Sequence, residues 1–397
     1  MSKSKIFTPF SEQELMPQEE KLEVIKKGKK FSIGIPKESC ENERRICITP
    51  DGVQVLVDHG HEIIMESFAG KGSFFTDLQY ANAGAKIVKE ARIAFCQDLV
   101  LKINPPTAEE IDFLKENSFL VSALQINLTD TYYFKKLAEK KVNAMAFEFI
   151  VDKYNQLSLV RLIGEIAGTA SILYAAELLS LSNGTMMGGI TGVRPTEIVV
   201  VGAGIVGEFA TKAAVGLGAS VKVFDNSLSK LRRLNTLLDG RVPTSIIEPK
   251  ELQKSLRRAD VVIAALPRLS RTPIITEEMV LKMKKGSVII DIAIDNGKVV
   301  ETSELTTMED PFFVKHDVVH CGLPNITSRM PRTTTKAISN FFLSYLLNYD
   351  EEGGLENMMI YNENMKQSLY MYKGRHTKKS ICDRFQLPYH DINLLLF

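Results

Sequence analysis

EIVVVGAGIVGEFATKAAVGLGASVKVFD, residues 197–225, decides the fold. EIVVV is a short apolar run of the kind that forms a strand covered on both faces, and SVKVF is a second one. Between them the chain turns through GAGIVG into a helix reaching about Leu217, so the stretch reads strand, tight turn, helix, parallel strand. Each glycine has its own reason. Gly202 permits the sharp turn, Gly204 lets a phosphate approach the backbone, and Gly207 lets the helix lie close on the strand. Backbone amides and a helix N-terminus then face a pyrophosphate, and Ala203, Ile205 and Val206 complete this candidate cofactor-binding turn. Asp225, at the end of the second strand, places a carboxylate where adenosine ribose hydroxyls would donate to it. An acid there repels a 2′-phosphate, and no arginine follows until Arg232, so NAD is expected rather than NADP. A glycine-rich turn in some other α/β fold is the bland alternative, and the flanking strand, helix and acid together argue against it.

Working outward, the same rhythm continues on both sides. Downstream lie a helix near Glu248 to Arg258, VVIAAL, a helix near Glu277 to Lys285, and SVIIDIAI. Upstream lie FSIGIP, a helix from Asp51 to His59, EIIMES, LVLKIN, SFLVSAL, TYYFKKLAEK and NAMAFEFI, a second alternation of strands and helices. A long apolar helix, about Leu159 to Leu181 and stopped by Asn183-Gly184, bridges the two sets. After PNITSRMPRTTT another apolar helix, Lys336 to Tyr349, is too amphipathic to lie free and is expected to cross back onto the first set. The expected division is an N-terminal extension at 1–29, polar and read as an amphipathic lead-in, a substrate domain of 30–157 plus 331–397, and an NAD-binding domain of 158–330.

Composition narrows the function classes. The 397 residues are 45% hydrophobic and 24% charged, which excludes collagen-like, coiled-coil and wholly disordered chains. Lysines and arginines number 49 against 48 acids, so a net charge of +1 supplies no field for nucleic acid or an anionic membrane. A small-molecule partner is expected. No apolar stretch reads as a bilayer span, because Glu177 and the Ser182-Asn183-Gly184 turn interrupt the best candidate, Ile172 to Val193. The start MSKSKIFTPFSEQE lacks the apolar core of a signal peptide, and a cytoplasmic setting is expected. The five cysteines, Cys40, Cys47, Cys96, Cys321 and Cys382, form no CxxC, and no metal site is expected. Neither a His/Asp/Glu cluster at metal-ligand spacing nor a GxSxG elbow occurs.

Ligands of open parallel sheets sit beyond the carboxyl ends of the strands. In the first set those ends carry Lys37, Glu38, Arg44 and Arg45, then Lys102 and Asn104, then Gln125. The second set supplies Asp291 and Asp295, and the loop after Val318 supplies His320 and Asn325. Arg45 can clamp a carboxylate through its planar fork, or sit solvated in a charged loop. Asp295 can stand near a nicotinamide edge, or serve as a turn or N-cap residue. Lys102 and Asn104 are two apart on a strand and are expected on one face, unless Lys102 is an edge lysine in water. His316 and His320 are the histidines expected near the cleft.

These residues carry a resemblance that spans nearly the whole chain after residue 31. IPKESCENERRICITPDGV, ESFAGKGSFFTD, GEIAG, MMGGITGVRP, VVVGAGIVG, IDIAIDNG, HDVVHCGLPNITSRMPRTTT and the closing GRHTKKSICDRFQLPY resemble the family of alanine dehydrogenase and the nucleotide-binding α subunit of proton-translocating transhydrogenase. The resemblance implies two Rossmann-like, doubly wound α/β domains with a cleft between them, usually in a homo-oligomer, a hexamer. It also implies NAD-dependent conversion of L-alanine and water to pyruvate and ammonia. Arg45 matches the arginine on the substrate carboxylate, Asp295 the aspartate beside the nicotinamide, and Asn325 the asparagine of the following loop. Gly202, Gly204, Gly207 and Asp225 match the cofactor fingerprint.

Two positions depart from the alanine dehydrogenase pattern. Asn104 stands where a substrate-contacting lysine is expected, and Gln125 stands where the histidine general acid and base is expected. An amide exchanges no proton near neutral pH, and losing a positioned acid-base group typically costs about 10²- to 10⁴-fold. LKINPP resembles the transhydrogenase side, whereas the spacing of NQLSLVRLIGEIAG follows alanine dehydrogenase. The expected activity is therefore an amino-acid dehydrogenase with Asp295, through a water, or Lys102 handling the proton in place of Gln125. The alternative is an NAD(H)-binding, transhydrogenase-like or regulatory protein without deamination, and a saccharopine-type dehydrogenase is a further relative.

Overall fold

The computed structural model describes residues 30–152, 154–266, 273–294, 297–348, 357 and 362–395. The lead-in at 1–29 and Asp295 lie outside the described residues.

The chain forms two sheets. The first takes β1 (Ser32–Ile35), β2 (Glu62–Glu66), β3 (Lys86–Val88), β4 (Leu99–Leu101), β5 (Phe119–Ser122) and β6 (Asn143–Ala146). The second takes β7 (Glu197–Val201), β8 (Ser220–Phe224), β9 (Thr244–Ser245), β10 (Val261–Ala264), β11 (Val288–Asp291), β12 (Phe313–Lys315) and β13 (Val318–Cys321). The chain end returns β14 (Leu369–Tyr372) and β15 (Arg375–His376) to the first. Spatial order is β15-β14-β6-β5-β4-β1-β2-β3 in one sheet and β12-β13-β11-β10-β7-β8-β9 in the other. Neighbours from β1 to β6 run parallel, and so do those of the second sheet apart from the antiparallel edge strand β12. β14 and β15 join antiparallel. Each sheet reverses its strand order once, between β1 and β4 and between β7 and β10. Such switch points open the crevices in which doubly wound sheets bind ligands.

Local signals explain the elements. Central strands such as VVIA and VIID are buried along their whole length, as strands covered on both faces must be. Thr49 caps the helix Pro50–Asp58 by accepting from the Gly52 amide, with proline in the first turn. Thr76 with Gln79 and Thr107 with Glu110 form capping boxes that start two short helices. The helix read at Glu277 to Lys285 spans only Glu277–Val280, since beyond it the amides of Lys282 and Met283 bond carbonyls three residues back rather than four.

The bridging helix is Ser158–Asn183, closed by Gly184 in the left-handed conformation at φ 71°. Leu159 enters the core of the first unit, while Ile172, Tyr174 and Leu178 enter that of the second. By length and composition this helix is apolar enough to cross a membrane, which corrects the expectation that no stretch is. More than half of its most apolar window is buried inside the molecule. It lies tightly against the helix Ile205–Gly216, because a Cβ on Gly168 would sit 2.3 Å from the Val206 carbonyl oxygen. The return crossing is Pro331–Asn348, whose Ile338, Phe342 and Leu346 pack into the first core. Beyond it, the hydroxyls of Tyr370 and Tyr133 meet at 3.0 Å and tie β14 to the first unit.

Candidate active site

At the β7–β10 switch point the glycine turn has the shape a pyrophosphate requires. Gly202 has φ +117°, and a Cβ there would fall 2.6 Å from the Ala265 carbonyl oxygen. A Cβ on Gly207 would fall 1.8 Å from the carbonyl oxygen of Gly202. Around Gly204 nothing comes within 4 Å of the corresponding point, so the turn faces open space. The helix Ile205–Gly216 begins there with no side chain capping its amides. Those amides and the vacant approach at Gly204 fit a dinucleotide phosphate. Asp225 is buried; its Oδ2 accepts from the Ala203 amide at 2.7 Å and its Oδ1 from the Ser227 amide at 2.7 Å. The acid thus also holds the phosphate turn against the end of β8, a structural duty that spacing alone does not reveal.

At the β1–β4 switch point Glu43, whose side chain is buried, gathers most of the polar side chains. Arg45 donates Nε to Glu43 Oε1 at 2.7 Å and Nη2 to Glu43 Oε2 at 2.6 Å, a bidentate pair. Its Nη1 donates to Thr327 Oγ1 at 3.0 Å. Nη1 and Nη2 each keep one N–H uncommitted, by the donor count of a guanidinium. Glu43 also accepts from Asn104 Nδ2 at 3.2 Å, Asn325 Nδ2 at 2.9 Å and Ser328 Oγ at 3.0 Å. Burial pushes the Glu43 carboxyl up, but the Arg45 charge and these hydrogen bonds outweigh it and hold the group below the usual carboxylate range. Asn325, at φ 58°, comes from the segment after β13, so second-unit residues meet first-unit residues here.

Gln125 continues the chain of contacts, donating Nε2 to Asn104 Oδ1 at 2.7 Å. Its backbone is left-handed at φ 47°, a conformation that costs a side-chain-bearing residue free energy. Glu148 holds it there, accepting the Leu124 amide at 2.9 Å and the Gln125 amide at 3.0 Å on Oε1. Burial raises the Glu148 carboxyl above its ordinary range against the pull of those amides. Arg45, Asn104, Gln125, Glu148 and Asn325 all line one cavity of about 480 Å³. A second, of about 490 Å³, lies across Glu43 and Arg45 and carries Lys37, Arg44 and Lys71.

Lys102 is fully buried and its ammonium points to carboxylates, 3.2 Å from Glu110 Oε1 and 3.7 Å from Glu38 Oε2. Asn104 shares one of these partners through its backbone, donating its amide to Glu38 Oε2 at 3.2 Å. The two side chains expected on one face thus engage different partners: Lys102 the Glu38–Glu110 pair, Asn104 the Glu43 cluster. Burial raises the Glu38 carboxyl, the Lys102 charge opposes that, and nearby Glu43 adds to it.

His320 was expected in a loop but lies within β13, buried, its Nε2 2.8 Å from Thr302 Oγ1 and its ring stacked on Phe313. His316 pairs with Glu277 at 2.6 Å, away from both cavities. Glu43, Glu148, Thr327 and Ser328 were not singled out from sequence. Glu43 carried a signal, an acid two residues before the arginine, at a spacing that lets one carboxylate meet both the amide and the guanidinium of Arg45.

The N-terminal domain of alanine dehydrogenase/PNT matches residues 34–167, and the C-terminal domain of alanine dehydrogenase/PNT matches residues 162–379. The chain is 36% identical over 368 residues to alanine dehydrogenase 2 of Staphylococcus aureus (strain USA300), covering 91% of this chain and 98% of that protein. It is similar to a solved L-alanine dehydrogenase with a TM-score of 0.82 and 31% identity, covering 89% of this chain and 99% of that one. In fold alone it is similar to a transhydrogenase from Sinorhizobium meliloti, with a TM-score of 0.74 and 23% identity over 88% of this chain and 99% of that one. With both domain families matched end to end, the chain belongs to the alanine dehydrogenase/PNT family.

Proposed function

We propose that this chain is an NAD-dependent amino-acid dehydrogenase, with L-alanine and pyruvate as its reference pair. The observation that carries the reading is the Arg45 guanidinium: held along one edge by Glu43, it keeps one N–H on each of Nη1 and Nη2 for a substrate carboxylate. Bound NAD supplies the hydride acceptor, and Gly202, Ala203, Gly204, Ile205, Val206 and Gly207 provide the turn and amides for its pyrophosphate. Asp225 favours NAD over NADP by its charge. Arg45 and Asn325 orient the substrate, Asn104 joins them through Glu43, and Asp295 is assigned to the chemistry by resemblance alone. Lys102, committed to the Glu38–Glu110 pair, sets the local charge beside the site without lining either cavity. A homo-oligomer, a hexamer by resemblance, in the cytoplasm is part of the same reading.

A second reading, a protein that holds NAD(H) without deaminating amino acids, is favoured by one observation. Gln125, hydrogen-bonded through Nε2, offers no exchangeable proton where the family pattern has a histidine. A paired measurement separates the two. NADH binding is followed by fluorescence, then NADH consumption with pyruvate, glyoxylate or 2-oxoglutarate plus ammonium at mildly alkaline pH. Turnover with any of these supports the dehydrogenase, and binding without turnover of any amino- or imino-acid substrate supports the second reading.

A further inference from the structure

The polarity of the amides in the cavity is set by charge. Glu43 is an ionised acceptor with no proton to give, since Arg45 and its hydrogen bonds hold it below the usual range. Asn104 must therefore turn its NH₂ toward Glu43, which it does at 3.2 Å, leaving Oδ1 on its other side. That oxygen accepts from Gln125, so Gln125 must in turn present its Nε2, at 2.7 Å. The outer end of the relay is then Gln125 Oε1, an acceptor on a cavity-lining residue that no described residue donates to. Glu148 fixes the backbone beneath it through the amides of Leu124 and Gln125, so this oxygen is preorganised. Asn325 repeats the orientation, donating Nδ2 to Glu43 while its Oδ1 accepts from Thr327.

An acceptor at this place suits a nitrogen that carries hydrogen and cannot assist an oxygen that must be protonated. Making an imine from an oxo acid and ammonia requires loss of water from a carbinolamine, a step that needs a proton donor. An imine already closed into a ring requires no such donor, because its amine and oxo group share one molecule. Effective molarities of about 10⁵–10⁸ M for well-oriented intramolecular reactions let such rings form unaided. Resting on the dehydrogenase reading above, we propose that the substrates of this site are cyclic 2-imino acids and the secondary amino acids they become, the ring N–H donating to Gln125 Oε1 and the carboxylate resting on Arg45. Reduction adds hydride, from the reduced dinucleotide, to the imine carbon of the protonated ring. The C=N π pair becomes the nitrogen lone pair, the nitrogen keeps its proton, and no oxygen leaves.

Two readouts on the intact protein test this. Calorimetry compares pipecolate with tetrahydropyran-2-carboxylate, which has an ether oxygen in place of the ring nitrogen. Pipecolate is expected to bind at least about tenfold more tightly, a difference of about 1.4 kcal/mol. Gln125→Leu is expected to erase most of that gap, and Gln125→Met serves if the leucine variant fails to fold. Equal affinity for the two rings in the unaltered protein overturns the proposal whatever the variants do. In the second readout Δ¹-piperideine-2-carboxylate is expected to oxidise NADH with kcat/KM at least about tenfold above pyruvate plus ammonium. Faster turnover of pyruvate overturns the proposal while leaving the dehydrogenase reading in place. NADH oxidation by neither overturns the dehydrogenase reading and the proposed reduction with it, whatever the ring preference.

Discussion

Glu43 accepts from Arg45, Asn104, Asn325 and Ser328 at once, so replacing it by an amide would put a hydrogen-bond donor where four donors converge. Glu43→Gln is expected to destabilise the protein by about 3–5 kcal/mol, the cost of leaving a buried partner charge uncompensated, read by urea unfolding. It should also lower kcat/KM by about 100-fold or more, because both Arg45 and the amide relay lose their orientation. Gln125 invites the opposite change. Gln125→His with Asn104→Lys restores the acid-base pair of the family pattern, and pyruvate-plus-ammonium turnover is expected to rise by about 10²- to 10⁴-fold. No gain would mean that the departure from deamination runs deeper than these two side chains. Arg45, Asn104 and Gln125 were legible because each sits at a fixed place in a motif or at a strand end. The gathering role of Glu43 was not, because it depends on partners such as Asn325 and Ser328, 282 and 285 residues further along the chain.

Elements were legible where a backbone requirement singles out one residue type. Gly184, in the left-handed conformation, ends the bridging helix at the expected Asn183-Gly184 stop, and the glycines of the phosphate turn lie where strand and helix meet. Elements were misplaced where apolar periodicity hid a polar residue: His320 lies inside β13 because Thr302 satisfies its ring nitrogen and Phe313 covers its face. The close approach of Gly207 to Gly202 yields a further expectation. Gly207→Ala has no room for its methyl, and a loss of at least about 2 kcal/mol of stability together with loss of NADH fluorescence binding should follow. At the end of β11, burial pushes Asp291 up to about 6. With the folded value above the unfolded one, its contribution to stability is present below about pH 4 and lost as pH rises through about 6. The shift of about two units corresponds to about 3 kcal/mol. Urea midpoints of the unaltered protein and Asp291→Asn should therefore separate between pH 4 and 7, the variant gaining relative stability as pH rises.

At the scale of the molecule, the first sheet is finished by the last part of the chain. Removing residues 363–397 takes away β14, β15 and Tyr370, uncovering the edge of β6 and the hydroxyl of Tyr133. An uncovered, fully buried strand is a template for pairing with other chains, and the truncated protein is expected to aggregate, read as light scattering and lost soluble yield. The pairing of two doubly wound sheets was legible from the repeated strand–helix rhythm. That β14 would pair antiparallel to β6 was not, since its four residues LYMY carry no sign of their partner.

The chain passes between the two units twice, once through the helix Ser158–Asn183 and once where the segment after β13 leads into the helix Pro331–Asn348. Two solid bodies joined at one point can tumble against each other in every direction, but joined at two they can only swing about the line through both joints. Any opening that admits a ligand to the cavity beneath Arg45 and Asn325 must then be a rotation of that single kind. Asn325 lies in the second of these joints and donates to Glu43 at 2.9 Å, so the joint itself carries part of the hold on Arg45.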